Sequence, residues 1–456
     1  MNLGFDTIGN ATLICYDGKP ILVNDPWING SAYFGSWGYS HEIPEEQLEA
    51  ILACQYVWFS HGHPDHLNPD SLEKFRGKKI LLPDHVGERI KTDLLAQGHD
   101  VSVLADRKWH QLSNKIKVMC LANENQDAIL LIDINGRLVV NLNDADLGPE
   151  RSLIRKIVKS YDRSFALAYS GFGDADMINL YDESGNFIPH IVRSMEEPLG
   201  FKLSEIANAL GTTHFIPFSA MHRFRRSDSI WANRFAPTSV DFSNGFNAEN
   251  CELLPMFVRY DCESDEWHAL NPKEIPTFVQ APEEFGDNWS EQLSATEAKA
   301  LEKYFRSFQA LGQRLDFLNF RIGGKDHIIT FAKEKFNRGI TFEAPRASLM
   351  TCVQYEIFDD ILIGNYMKTT LHGQWENASL TSEFTRFVAK YGDNGKAKTE
   401  DELRQYFRSY SKRAPIEHIW HTVEQKGKNR LRNLLANNPK MLHEIKSAYR
   451  KLVNLR

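Results

Sequence analysis

The sequence predicts a layered α/β protein. Three observations carry that prediction. Short apolar runs alternate with helix-period stretches, turn dipeptides stand at Asp17-Gly18 and Asn135-Gly136, and several apolar runs end in polar loops. Taken in order, Ala11–Tyr16 and Pro20–Val23 flank Asp17-Gly18 and read as a hairpin. Gln55–Ser60 is a strand that runs into a histidine-rich loop, and Lys79–Leu82 is a strand followed by a helical stretch from Asp84 to Ala96, stopped by Gly98. Lys115–Leu121 alternates as a strand does. Ala128–Ile134 and Arg137–Asn141 are β runs joined by Asn135-Gly136, the pair that best tolerates the positive φ angles of a type I′ turn. Ser152–Lys159 and Leu203–Leu210 read as helices, Phe165–Tyr169 and His214–Phe218 as strands. From Asn244 the character shifts to acidic and proline-bearing loops. A helix over Ala295–Leu311, β runs at Ile328–Phe331 and Gly339–Phe342, and a helix over Leu349–Met367 follow, before a basic helical segment, Lys426–Arg456. The expected division is a first α/β domain over 1–243 and a mixed, then helical, region over 244–456.

Composition removes several function classes. A net charge of −7 over 456 residues argues against a general DNA or RNA binder, which needs a basic surface to neutralise phosphate. No apolar run approaches the ~18–20 residues that span a bilayer, so no transmembrane segment is expected. The first residues carry neither a basic nor a greasy leader pattern, and none of the six cysteines forms a Cys-x-x-Cys or Cys-x-His pair. Zinc ribbons and Rieske clusters are thereby excluded from this sequence, and reduced, buried thiols in a cytoplasmic protein are expected.

The chemistry concentrates in Ser60-His61-Gly62-His63-Pro64-Asp65-His66-Leu67. Three histidines and an aspartate fall directly after a strand. At spacings of two and three in a loop, such side chains converge on one or two metal ions, and imidazole with carboxylate is a donor set for zinc, iron or manganese. The bland alternative, a solvated histidine-rich turn, fits isolated histidines better than this run.

This HxHxDH pattern resembles the signature of the metallo-β-lactamase fold, which implies an αββα sandwich with a metal site at one edge. The resemblance implies that His61 and His63 bind a first metal and Asp65 and His66 a second. It also implies that Asp144, after the strand that follows the Asn-Gly turn, bridges them, and that Asp25 orients a ligand from behind. The family's middle histidine is missing between Cys120 and Ile129, where Asn123 or Glu124 would take its place. An added carboxylate shifts preference toward an oxygen-rich di-iron site. The late histidine is best matched by His222, with His214 as runner-up. A narrower resemblance is to the catalytic region of the CMP-N-acetylneuraminate hydroxylase family. It is carried by Asn24–Trp27, Phe34–Tyr39, Ser60–Leu67, Pro217–Asp228, Phe285–Trp289 and Phe358–Gly364. That family also has a Rieske domain, so the shared chemistry implies a separate Rieske- or ferredoxin-type electron donor.

Arg223, Arg225 and Arg226 follow His222 closely and suit phosphate or carboxylate, which guanidinium grips bidentately; a solvated basic turn explains any one of them equally well. Trp37, with Trp27, Phe34 and Tyr39, lies in Gly/Ser-rich loops, where stacking on a base or sugar competes with the more common fate of packing under the loop. His418 and His421 stand three apart on a helix, without the glutamate placement of a zinc-protease motif, and read as surface or interface residues. The resulting expectation is a dinuclear-metal enzyme with Asp65 and Asp144 at its catalytic centre. Its foremost form is a non-haem di-iron oxygenase acting on a small anionic substrate, with a nucleotide sugar as the candidate. Iron is the favoured metal and zinc or manganese the alternative. The rivals are a zinc- or manganese-dependent hydrolase of phosphoester, amide or ester bonds and a metal-poor binding protein on the same scaffold.

Overall fold

The computed structural model describes residues 2–172, 179–188, 191, 195–332, 335–375, 380–385, 387–389 and 397–435. The strand Ala128–Ile134 shows how the core is built, since it is buried along its whole length. Leu130, Ile132 and Ile134 enter one apolar cluster while Ile129 and Leu131 enter another. This is the period-two alternation of a strand with both faces covered. The lone polar member, Asp133, is satisfied by the Gly136 N–H and the Tyr161 hydroxyl. Asn135 and Gly136 take φ of 49° and 87°, so the hairpin turn forms as its residues demand.

Two sheets face each other across the first of these clusters. One has eight strands in the order Glu266–Ala269, Val258–Asp261, Leu3–Ile8, Thr12–Asp17, Pro20–Asn24, Tyr56–Trp58, Lys79–Pro83 and Asp100–Leu104. The other has seven: Glu252–Leu253, His214–Phe218, Arg163–Tyr169, Arg137–Asn143, Ala128–Ile134, Ile116–Ala122 and Trp109–Gln111. Phe5, Leu13, Leu22 and Trp58 from the first meet Leu130, Val139, Phe165 and Leu167 from the second. Helices Glu45–Ala53 and Arg89–Ala96 cover one outer face, Arg151–Val158 and Leu199–Leu210 the other. The fold is therefore the αββα sandwich of metallo-β-lactamase type. It runs on past residue 243, because Val258–Asp261 and Glu266–Ala269 add to the edge of the first sheet, where Arg259 pairs with buried Asp6.

A second core lies in the later part of the chain. There a five-stranded sheet, in the order Leu180–Tyr181, Lys368–Gly373, Arg338–Glu343, Phe317–Ile322 and Lys325–Thr330, packs against helices Ala295–Arg306 and Arg346–Tyr355. Its first strand comes from the sandwich half of the sequence. The single helix expected over Leu349–Met367 is instead broken. Glu356 adopts a left-handed φ of 56°, its N–H closing on the Cys352 carbonyl, and a separate short helix, Phe358–Ile363, begins after it. That break sends the second helix toward the sandwich. Helix Pro415–Leu435 takes in the first residues of the basic C-terminal segment, and 436–456 lie outside the described residues. Among the described residues no helix is long and apolar enough to cross a membrane. The six cysteines are free, five of them buried.

Candidate metal centre

Strands Pro20–Asn24 and Tyr56–Trp58 run parallel and end side by side, which sets Asp25 against the histidine loop. Asp25 takes a φ of 43°; its Oδ1 accepts the Ser60 N–H at 2.8 Å and its Oδ2 lies 3.1 Å from His66 Nδ1. On the other sheet, the register of Arg137–Asn143 slips between Asn141 and Asn143, and Asn143 has a φ of 42°. That bulge tips Asp144 out of the strand toward His66, with Oδ2 at 3.3 Å from Nε2. Asp65 sits 3.4 Å from the same nitrogen and is itself held by the Asn10 amide at 2.9 Å and the Tyr33 hydroxyl. His61 Nε2 and His63 Nδ1 face each other at 2.8 Å, and Asp127 lies 3.9 Å from His61 Nδ1.

The electrostatics suit a cation. Burial opposes protonation of His66, yet Asp65, Asp144 and Asp25 together push its affinity for a proton well above the ordinary histidine value. His61 moves the opposite way, because burial and the neighbouring His66, His63 and His85 all disfavour its charge. Burial, reinforced by Asp144, raises the Asp127 carboxyl to about 7. Four potential ligand atoms, His66 Nε2, Asp144 Oδ1, His222 Nδ1 and Asp359 Oδ1, are buried without a hydrogen-bond partner. Such atoms are costly unless something coordinates them. Among the described residues, two groups of donor atoms each lie within 4.8 Å of one another: His61, His66 and Asp144; and His63, Asp359 and Asp360. Imidazole and carboxylate donors at that spacing fit divalent iron, zinc or manganese.

Most of the other expected residues go elsewhere, His222 excepted. Glu124 is not brought to these donors. Its backbone carbonyl accepts the Tyr406 hydroxyl, and its residue lines a separate cavity of about 460 Å³ with Asp146, Arg413, His418 and His421. Asn123 caps its own turn, accepting the N–H groups of Asn125 and Asp127. His222 is within electrostatic reach of Asp144, and its ring stacks flat on Trp37 at 3.4 Å between centroids. Trp37 is consequently buried rather than open to a ligand. Their strands, Trp37–Tyr39 and His222–Phe224, pair antiparallel with His222 opposite Tyr39, and because neighbours on a strand face opposite ways, Arg223 points away from His222, toward Glu274. Arg225 donates to the Tyr39 carbonyl and packs over Phe278. Arg226 is fully buried between Asp228 and Asp287, a structural ion pair rather than an open anion clamp. Asp359 and Asp360, to which sequence reasoning gave no ligand role, do reach the site. Their sequence signal is the Phe358–Gly364 segment that carries part of the narrower resemblance, a pair of acids opening an apolar stretch.

No family model matches the chain. It is similar to the protein described as inactive cytidine monophosphate-N-acetylneuraminic acid hydroxylase of Homo sapiens, 27% identical over 145 residues, 29% of each chain. It is also similar to cytidine monophosphate-N-acetylneuraminic acid hydroxylase of Danio rerio, 24% identical over 237 residues, covering 48% of this chain and 39% of that one. The matched part thus spans well under half the length of these curated relatives. Among solved structures it is similar to CmlA, a diiron β-hydroxylase from Streptomyces venezuelae, at 14% identity and a TM-score of 0.37, covering 59% of this chain and 54% of that one. It is likewise similar to YhfI, a metallo-β-lactamase fold protein from Bacillus subtilis, at 10% identity and a TM-score of 0.33, covering 54% and 88%.

Proposed function

We propose that the chain is a dinuclear-metal enzyme, and specifically a non-haem di-iron oxygenase that hydroxylates an anionic substrate, a nucleotide sugar being the candidate, with electrons from a separate donor protein. One observation carries the reading: His61, His63, His66, Asp65 and Asp144 converge at the ends of opposed strands with buried donor atoms left unpartnered. The choice of iron rests on the oxygen-rich surroundings, since Asn123 stands where a further imidazole is expected while Asp127 and Asp359 lie close by. The choice of hydroxylation rests on the sequence similarity to CMP-N-acetylneuraminic acid hydroxylases.

His61, His63 and His66 with Asp65 and Asp144 would hold the metals. Once bound, two irons supply the redox chemistry by which dioxygen, two electrons and two protons convert a substrate C–H to C–OH and water. The chain's own residues hold that centre in place. Asp25 keeps the His66 ring turned so that Nε2 faces Asp65 and Asp144. Tyr33 and Asn10 fix both oxygens of Asp65, and the flat Trp37 ring locks His222 beside Asp144. The test is elemental analysis of protein produced with iron and zinc both available, beside Asp65→Ala, followed by oxygen uptake with a chemical reductant. About two irons per chain, lost in the variant, and reductant-dependent oxygen uptake are expected. Zinc at that occupancy together with phosphodiester cleavage would replace the oxygenase by a hydrolase. Little metal in either protein would leave a binding scaffold.

A further inference from the structure

We propose that Asp359, on the short helix Phe358–Ile363, is a positioning residue for His63, so that the later part of the chain is a working component of the metal centre. The inference rests on the metal-binding reading above. Each histidine of the loop has one nitrogen turned into the cluster and one turned out. The inward atoms are His61 Nε2 and His63 Nδ1, 2.8 Å apart, and His66 Nε2 between Asp65 and Asp144. The outward atoms all meet an oxygen. His61 Nδ1 meets Ser60 Oγ at 2.9 Å, His66 Nδ1 meets Asp25 Oδ2 at 3.1 Å, and His63 Nε2 meets Asp359 Oδ2 at 3.1 Å.

A carboxylate only accepts, so a neutral His63 facing Asp359 carries its proton on Nε2 and keeps the Nδ1 lone pair aimed at the cluster. Asp359 thus does for His63 what Asp25 does for His66, from a residue 296 positions away. It is buried, and its helix is anchored to the sandwich where Ser36 Oγ donates to the Gly364 carbonyl at 2.6 Å. The left-handed break at Glu356 is what lets this helix turn toward the histidine loop. Partners of this kind set metal affinity by about 10–100-fold.

The test uses the full chain and two probes. In cobalt(II) or zinc(II) titrations against a chromophoric chelator, Asp359→Ala should weaken one of two sites by about 10–100-fold, with unchanged stoichiometry at saturation and an altered cobalt absorption band. Asp359→Asn, whose amide oxygen still accepts from Nε2–H, should stay within a few-fold of the parent. In the metal-free protein, nitrogen-15 imidazole spectra should show His63 protonated on Nε2, and Asp359→Ala should lose that preference. Unchanged affinity and tautomer in Asp359→Ala would overturn the proposal. So would outright loss of one metal equivalent in both Asp359→Ala and Asp360→Ala, which would make the pair direct ligands with His63. A parent that binds no metal yet loses the tautomer in Asp359→Ala would sink the metal reading and leave the positioning contact standing.

Discussion

Two buried charged clusters in this protein answer the same problem in opposite ways. Around Arg226 every charge is spent on a neighbour. The guanidinium donates to Asp228, Asp287 and the Phe34 carbonyl at 2.7–3.0 Å, stacks 3.8 Å from the Tyr366 ring, and leaves no nitrogen without a partner. Asp287 is in turn bonded by the backbone and hydroxyl of Ser348. Around His66, by contrast, Asp25, Asp65 and Asp144 crowd one imidazole, and donor atoms remain unpaired. The first cluster is complete as it stands and joins the sandwich to the later region; the second leaves ligand atoms free to take a cation. Burial alone therefore does not separate a structural ion pair from a site, whereas the accounting of donors and acceptors does.

The largest effect expected from this contrast is on stability. Arg226→Ala leaves Asp287 buried beside Asp228 without its counter-charge and should cost about 3–5 kcal/mol in denaturant unfolding. Asp144→Asn, at a half-buried and electrostatically overloaded position, should change metal-free stability by less than about 1 kcal/mol. It should, however, abolish the stabilisation that added metal gives the parent, about 2.7 kcal/mol at a hundredfold excess over Kd. Similar losses in both metal-free variants would erase the distinction between the two clusters.

That contrast also marks what was legible in the sequence. The strands, the Asn-Gly hairpin and the histidine loop could be read because each depends on neighbours in sequence: alternation, a turn dipeptide, a strand end. The arginines could not. Their spacing suggested a shared anion grip, but strand geometry turns Arg223 away from His222, and Arg226 finds its partners at Asp228 and Asp287. The segment around Asp359 was legible as part of the resemblance but its role was not, since the helix break that aims it toward His63 depends on one left-handed residue inside a stretch whose periodicity reads as continuous helix.

An intermediate effect concerns acid. His85 ties the histidine loop to the C-terminal helices, with Nε2 at 3.2 Å from the Ser60 carbonyl and Nδ1 at 3.3 Å from the Tyr410 hydroxyl. Burial lowers its pKa from 6.5 to about 4, an effect that the Ser60 carbonyl partly offsets and Arg413 reinforces. A histidine whose pKa is depressed by folding contributes stability above its unfolded value, and that contribution is lost as pH falls from 6.5 toward about 4. Unfolding midpoints of the parent should therefore fall across that window. The parent-minus-His85→Gln difference should shrink by up to roughly 3 kcal/mol. A parallel pair of pH profiles would mean that His85 is charged, or exposed, in the folded protein.

The smallest effect is the most discriminating for the site. Glu124 is, with Asn123, one of the two residues expected to replace the missing histidine, yet its backbone carbonyl accepts from Tyr406, which alanine retains, and its carboxylate acts on His418 rather than on the cluster. Glu124→Ala should leave stability within about 0.5 kcal/mol and metal stoichiometry and affinity as in the parent. Loss of one metal in that variant would show that the 123–127 turn rearranges when metal enters, taking Glu124 into the cluster. The centre would then be assembled by its cation and not held ready by the fold. The same titration on Asp25→Ala separates the two cases, because a centre held ready depends on the carboxylate that already grips His66, while one assembled by the metal depends on Glu124 more.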